Sequence, residues 1–229
     1  MTLNRFARIA IPLNAILAAG LLLRHPAAIR AAHGWLAVAG AVVILTLYWF
    51  ALHQIERTLD ASLMRLGAFF GAIAAFVFAA EFLVEYTFTP RDNTFLGEVE
   101  FGLVLLMYFA AGVAACRRGQ RLKDGVRASF LSATIASLIW MTALLSTSIL
   151  FWGSTRQFAV LRAEGEYEDF ARSGMADFQA FVVQDFLGAC FYHLLLGPLI
   201  AAVLGATGSA MAITARRVFG RTRVRANLE

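Results

Sequence analysis

The chain has 229 residues, of which 60% are hydrophobic and 15% are charged, and its mean hydropathy is +0.69. Soluble domains carry roughly 25% charged residues, so this composition argues against a soluble protein and indicates an integral membrane protein. Two cysteines are too few for a disulfide framework or a cysteine-ligated cluster. The net charge of +5 does not require a nucleic-acid partner, and we expect none.

Six apolar runs follow one another along the chain. A helix needs about 20 apolar residues to cross a bilayer, and the runs cover 9–23, 34–53, 66–87, 95–116, 128–152 and 178–214. The sequence therefore predicts an all-α, polytopic transmembrane helical bundle of about six spanning helices. We expect residues 1–229 to form a single integral-membrane domain.

The first and last runs leave alternatives open. Pro12 and Asn14 interrupt the first, which could instead be a signal peptide, but Arg24 stands where a small-residue cleavage site should begin. The last run is too long for one upright span and contains Gly197–Pro198. A proline removes a helical hydrogen bond, so this run is either one kinked helix, with 178–189 as an interfacial lead-in, or a helix broken at Gly197.

The connection before the last span has its own pattern. Across residues 154–189, apolar side chains recur at mostly helical spacings, and Gly165 and Gly174 interrupt them. This pattern predicts short amphipathic helices on the outer surface. We expect the charged run 164-EGEYED-169 to be solvated, and the whole loop offers a surface for a protein partner.

Basic residues are unevenly distributed among the connections. Fourteen of the 20 lysine and arginine residues lie on the side that also holds both termini. The positive-inside rule therefore predicts a multi-pass protein of the cell (inner) membrane with both termini in the cytoplasm. We expect the basic cytoplasmic rim to contact anionic lipid headgroups, and most acidic residues to form an acidic outer face.

Four glutamates surround the predicted hairpin between the third and fourth spans. Glu81 and Glu100 each lie about five residues inside the expected boundary, which is about 7.5 Å at helical rise. Glu85 is one turn above Glu81. Glu98 points away from Glu100, since residues two apart on a helix differ by about 200°. We therefore expect Glu98 to face solvent and the other three to face a shared site.

A carboxylate within the apolar layer is costly and normally meets a partner, water or the bundle interior. Asp177, Asp185 and His193 follow at intervals of eight, on nearly one helical face. These residues complete a candidate proton or cation site, which consists of Glu81, Glu85, Glu100, Asp185 and His193. The alternative is that arginines neutralise the acids, and the candidate arginines are Arg91, Arg156, Arg162 and Arg172.

Cofactor motifs do not stand out. The sequence contains no HxxxH, CxxC or ExxH spacing, so no metal ligands are assigned and no cofactor is expected beyond a cation at the acidic site. A haem would need His193 together with His25 or His33, which are loop residues.

Small residues at Gly67 and Gly71 form a GxxxG pattern, which permits close helix approach and leaves homo-oligomer formation open.

Three function classes fit these features. We expect a non-enzymatic accessory, scaffold or assembly subunit that acts through its acidic outer face, because this class needs only a packed bundle and so requires the fewest assumptions. A small proton- or cation-coupled transporter or channel explains the carboxylates best. An intramembrane lipid-modifying enzyme has the least support, because the sequence offers no nucleophile–base pair or metal motif.

Overall fold

The computed structural model describes residues 3–30, 34–88 and 94–226. These residues form nine helices and no strand, as an apolar chain that must satisfy its backbone within a bilayer requires. The helices are α1 (Leu3–Arg24), α2 (Ala27–Arg30), α3 (Gly34–Thr58), α4 (Ala61–Phe88), α5 (Thr94–Gly119), α6 (Leu122–Leu150), α7 (Thr155–Ala163), α8 (Glu166–Ser173) and α9 (Phe178–Ala226).

Six of the described helices are long and apolar enough to cross a membrane: α1, α3, α4, α5, α6 and α9. This confirms the predicted all-α bundle of a multi-pass membrane protein. The first run is part of a 22-residue helix despite Pro12. The short helices predicted within 154–189 are α7 and α8, whereas residues 178–189 belong to α9, which continues through Pro198.

Helix α6 lies at the centre of the bundle. It packs against α4, α5, α9 and α1, and most of its span is buried within the protein. Small residues on its neighbours allow this close approach. A Cβ atom at Gly67 or Gly71 would lie 2.8 Å from the carbonyl oxygen of Ala128 or 2.7 Å from that of Ser132, respectively. The GxxxG pattern of α4 is therefore occupied by α6 of the same chain.

A polar side chain fixes α1 against α6. Asn14 is fully buried, and its amide nitrogen donates to the carbonyl oxygens of Ala10 and Leu138 at 2.9 and 3.0 Å. Its side-chain oxygen accepts a 3.2 Å bond from Thr142. These bonds explain how an asparagine is accommodated within an apolar run, since an unpaired amide there would cost several kcal/mol.

The bundle has two different ends. At one end, Gln184 of α9 donates to the carbonyl of Ala28 at 2.7 Å, and Tyr86 of α4 packs on Phe151. Because α2, α7 and α8 also lie at this end, we call it the capped end. At the other end, Arg127 of α6 donates to the carbonyl of Thr58. We call this the terminal end, because α1 begins there and α9 finishes there.

Candidate functional site

The glutamates of α4 and α5 come together at the capped end. Glu81 and Glu100 are partly buried, and Glu81 lies within electrostatic range of both Glu85 and Glu100. The Oε2 atom of Glu100 is buried with no hydrogen-bond partner within the described residues. Glu98 is exposed, in the direction that the helical spacing predicts.

Two further carboxylates join this group from the α7–α8 turn. Gly165 adopts a left-handed backbone with φ +82°, which few other residues tolerate, and this turn folds α8 back on α7. Glu164 on one side of the turn lies within electrostatic range of Glu81, Glu85 and Asp185. Glu166 on the other side lies within hydrogen-bonding reach of Asp185.

These positions define what we call the carboxylate cluster, which takes acids from α4, α5, α9 and the α7–α8 turn. Its members are Glu81, Glu85, Glu100, Glu164, Glu166 and Asp185. Two carboxylates within hydrogen-bonding reach repel each other unless they share a proton or a cation lies between them. The cluster therefore favours positive charge.

Glu164 and Glu166, at the α7–α8 turn, have raised pKa values because burial and neighbouring carboxylates disfavour their charged forms. Burial and the neighbouring Asp185 raise the pKa of Glu166 to about 7. Loss of hydration, followed by the charges of Glu85 and Glu166, raises the pKa of Glu164. The side chain of Glu164 remains exposed on one side, so water screens part of that repulsion.

The sequence did not identify Glu164 and Glu166 as members of the site. The expectation of a solvated run holds for Glu168 and Asp169, which are exposed, but not for Glu166, which is partly buried. The available signal was Gly165, because a glycine between two short helices allows the sharp turn that brings both glutamates towards α9.

Two of the four candidate arginine partners make other contacts. Arg172 forms an ion pair with Asp169 on α8. The guanidinium of Arg162 lies over the ring of Tyr167, 5.7 Å from its centroid. Arg156 remains a candidate partner of the cluster, and Arg91 lies outside the described residues.

Asp177, Asp185 and His193, which the sequence places at intervals of eight, have three different surroundings. Asp177 caps α9 by accepting bonds from the backbone of Gln179 and Ala180 at 2.9 and 3.1 Å. Asp185 faces Glu166, whereas His193 lies deeper, stacked on Trp140 with ring centroids 4.1 Å apart. The physical reason is helical geometry, because each step of eight residues rotates the side chain by about 80°. His193 is therefore separate from the carboxylates.

A cavity of about 340 Å³ lies beneath the carboxylate cluster, between α4, α5, α6 and α9. Phe78 lines it one turn below Glu81, and Val104 lines it one turn below Glu100. Aromatic residues from all four helices contribute to the wall, and they are Phe78, Phe101, Tyr108, Trp140, Tyr192 and His193.

Two polar atoms at this cavity have no partner within the described residues. The hydroxyl of Tyr108 and the Nε2 atom of His193 are buried without a hydrogen bond. Tyr108 is only 2% exposed. A buried polar group without a partner costs about 1–3 kcal/mol, so a ligand or water that reached either atom would relieve that cost.

The packing below the cavity is close. A Cβ atom at Gly112 of α5 would lie 2.6 Å from the Cα atom of Gly205 on α9. Gly125 of α6 lies against the side chain of Ser209, which donates to the carbonyl of Gly205 at 2.7 Å. Helices α5, α6 and α9 are thus tightly packed between this cavity and the terminal end, whereas α1, α3, α4 and α6 leave a separate cavity of about 620 Å³ in that half of the bundle.

Metal ligation is not evident in the described part of the chain. It holds no group of three or more histidine, cysteine, aspartate or glutamate residues that could hold a metal ion. Cys116 and Cys190 are buried free thiols. The ring of His25 packs against that of Trp152 at the capped end, with centroids 4.1 Å apart and planes tilted by 34°, and His33 is not among the described residues.

Comparison with known proteins does not connect the chain to a family. No family model matches it, and neither the curated proteins nor the solved structures contain a match.

Proposed function

We propose that the protein is a small multi-pass membrane transporter or channel that takes up a cation or proton at its capped end. The observation that carries this proposal is the carboxylate cluster, three of whose acids, Glu81, Glu100 and Asp185, lie one helical turn above residues that line a cavity between four spanning helices. The proposed binding residues are Glu81, Glu85, Glu100 and Asp185, joined by Glu164 and Glu166.

Electrostatics supports uptake of positive charge. Two unit charges 4 Å apart interact by about 1 kcal/mol in water and by about 4 kcal/mol near a protein surface. Several like charges gathered from four segments therefore weaken one another, and one cation relieves all of these repulsions together. Arg172 pairs with Asp169 and Arg162 lies over the ring of Tyr167, so Arg156 is the described candidate arginine that could supply part of this charge.

The proposed orientation follows from the basic residues. With both termini in the cytoplasm, the capped end faces outward and the carboxylate cluster meets cations on the outer side of the cell membrane. The basic residues at the terminal end would then contact anionic headgroups of the inner leaflet.

Close packing of α5, α6 and α9 below the cavity would close a path that runs along these helices. The carboxylates would admit the cation at the capped end while this contact blocks exit at the terminal end, as alternating access requires. Passage would require α5 and α9 to separate where Gly112 meets Gly205.

Flux measurements test this proposal. Purified protein in liposomes, loaded with a pH-sensitive dye or a sodium- or potassium-sensitive dye, is expected to dissipate a gradient faster than protein-free liposomes. The double variant E81Q/E100Q is expected to lose this flux. The control variant E98Q, which alters an exposed acid on α5, the helix of Glu100, is expected to keep it.

The outcomes separate the function classes. Absence of flux from the parent protein for protons, sodium, potassium and the organic cation hexyltrimethylammonium would overturn the transport proposal. Flux that is equal in E81Q/E100Q and the parent would remove these carboxylates from the path. The accessory, scaffold or assembly role and the lipid-modifying role remain predictions. Co-purification of a stable partner would support the accessory role.

A further inference from the structure

The cavity beneath the carboxylate cluster is more aromatic than an inorganic cation requires. Its wall includes Phe78, Phe101, Tyr108, Trp140 and Tyr192. Aromatic side chains offer a large apolar surface that suits the hydrocarbon part of an organic ligand, and such rings also tolerate a nearby ammonium group because their faces attract cations. Its volume of about 340 Å³ lies within the range of about 300–1,000 Å³ typical of small-molecule sites.

The polar and apolar parts of this region are stacked along the helix axes. Carboxylates of Glu81 and Glu100 lie one helical turn above the cavity residues Phe78 and Val104. A compound with a positive head and an apolar tail matches this order, with its head at the interface and its tail in the apolar layer. An inorganic ion would use only the upper part.

The cavity also meets the surface that faces lipid. Phe101, Tyr192 and Leu196 line it and are 51%, 62% and 47% exposed on the outside of the bundle. A hydrophobic cation already dissolved in the leaflet could therefore enter between α5 and α9 without crossing water.

The geometry does not favour coordination of a metal ion. Coordination requires several ligand atoms within about 2.0–2.6 Å of one point, and the described residues lack such a group. A spread arrangement of carboxylates instead suits a large, diffuse charge that needs no fixed coordination number.

We propose that the ligand of this site is a hydrophobic ammonium compound, which places its cationic head at Glu81 and Glu100 and its tail in the aromatic cavity. Tyr108 and His193 line the tail region, and among the described residues their hydroxyl and ring nitrogen have no hydrogen-bond partner, so a polar group of the ligand that reached them would be stabilised. This inference rests on the proposed uptake of cations and specifies their chemical class.

Binding to the purified protein in lipid nanodiscs tests the proposal, with hexyltrimethylammonium as the probe. Two further compounds separate the contributions of the cationic head and the apolar tail to binding. Tetramethylammonium has the head without the tail, and hexyl sulfate has the tail with a negative head. Isothermal titration, corrected for partitioning into empty nanodiscs, is expected to give saturable binding of hexyltrimethylammonium. We expect binding that is weaker by about tenfold or more for each of the other two, which corresponds to about 1.4 kcal/mol.

Matched variants locate the site. E81Q/E100Q is expected to weaken the binding of hexyltrimethylammonium by about tenfold or more, whereas E98Q is expected to leave it unchanged. A189L adds volume to the cavity wall and is expected to weaken binding, whereas A210L, on the exposed surface of the same helix, is not. If E81Q/E100Q fails to fold, two other measurements report on the contact between the ammonium head and the carboxylates. They are the affinity of the single variant E100Q and the loss of affinity of the parent at high salt.

The outcomes distinguish this inference from the broader function. Equal binding of hexyltrimethylammonium and hexyl sulfate, or unchanged affinity in both E100Q and A189L, would overturn the ligand class. Flux of protons or inorganic cations without ammonium binding would preserve the transport proposal and overturn this inference. Saturable ammonium binding without flux of any cation would preserve the site and overturn transport.

Discussion

The hydroxyl of Tyr48 in α3 donates a 2.6 Å hydrogen bond to the backbone carbonyl of Leu194 in α9. Leu194 is four residues before Pro198, so its carbonyl is the one that lacks its helical N–H partner. Both Tyr48 and Leu194 are buried. A side chain from another helix therefore replaces the hydrogen bond that the proline removes, and α9 continues through Pro198 without an unpaired carbonyl at that point.

This relationship predicts a non-additive pair of substitutions. Y48F is expected to destabilise the protein by about 0.5–2 kcal/mol, because it leaves the Leu194 carbonyl unpaired in an apolar environment. In a P198A background the backbone N–H of residue 198 returns, so the same Y48F change is expected to cost less. Thermal unfolding of the four proteins of this cycle in one detergent measures the coupling. Equal destabilisation by Y48F with proline or alanine at residue 198 would contradict the proposal that Tyr48 replaces the hydrogen bond that Pro198 removes.

A second prediction concerns the contact between Gly112 and Gly205. G112A is expected to destabilise the bundle by about 1–3 kcal/mol, because its Cβ atom would lie 2.6 Å from the Cα atom of Gly205 and the helices would have to separate. G102A, on the same helix, has no atom within 4 Å of its new methyl group and serves as the control. G102A is expected to be neutral or slightly stabilising, since alanine favours helix over glycine.

Thermal unfolding in detergent compares both variants with the parent. Equal stability of G112A and G102A would show that α5 and α9 are not tightly packed at this level. In the transport proposal this contact closes the path, so G112A is also expected to alter flux while G102A is not.

The sequence predicts the spanning helices well because hydropathy alone determines which segments enter the membrane. It does not locate their ends. The run 178–214 belongs to a helix that extends from Phe178 to Ala226, because backbone hydrogen bonds continue into polar flanks that a hydropathy window ignores. Pro198 does not break that helix, since its unpaired carbonyl is satisfied by Tyr48, a tertiary contact that spacing cannot reveal.

The candidate site is predicted only in part. The electrostatic proximity of Glu81 and Glu100 follows from their matched depth on adjacent helices. Glu164 and Glu166 could not be placed from spacing, because their position depends on how α8 folds back at Gly165. His193 follows Asp185 by eight residues, which is about 12 Å along the helix and about 80° around it, so it packs on Trp140 deeper in the bundle and does not join the carboxylates.

The contact between Glu166 and Asp185 predicts a pH-dependent cap. The pKa of Glu166 is raised to about 7 from an ordinary value of 4.5, so the docked position of α8 favours the protonated acid. Below about pH 4.5 Glu166 is protonated whether or not α8 is docked, so its titration does not oppose docking. The free-energy cost of docking grows as the pH rises from 4.5 towards 7, and it is complete above 7. Docking of α8 is therefore expected to be weaker at pH 8 than at pH 5.

Hydrogen exchange of the α8 amides, corrected for the intrinsic effect of pH, measures this docking. The parent is expected to exchange faster at pH 8 than at pH 5, and E166Q is expected to lose most of that difference because its side chain cannot ionise. E168Q, which changes an exposed residue of the same helix, is expected to behave like the parent. A pH effect that persists in E166Q would assign the titration to another group.

The last prediction tests the proposed orientation with introduced thiols. Cys116 and Cys190 are 0% and 2% exposed, so the parent protein is expected to react slowly with a membrane-impermeant maleimide. Glu168 and Lys123 are exposed at the capped end and the terminal end, respectively. E168C is expected to react on intact cells, whereas K123C is expected to react only after the membrane is permeabilised, because the positive-inside rule places the basic loops in the cytoplasm. The opposite pattern would invert the bundle, and the carboxylate cluster would then bind its cation from the cytoplasm.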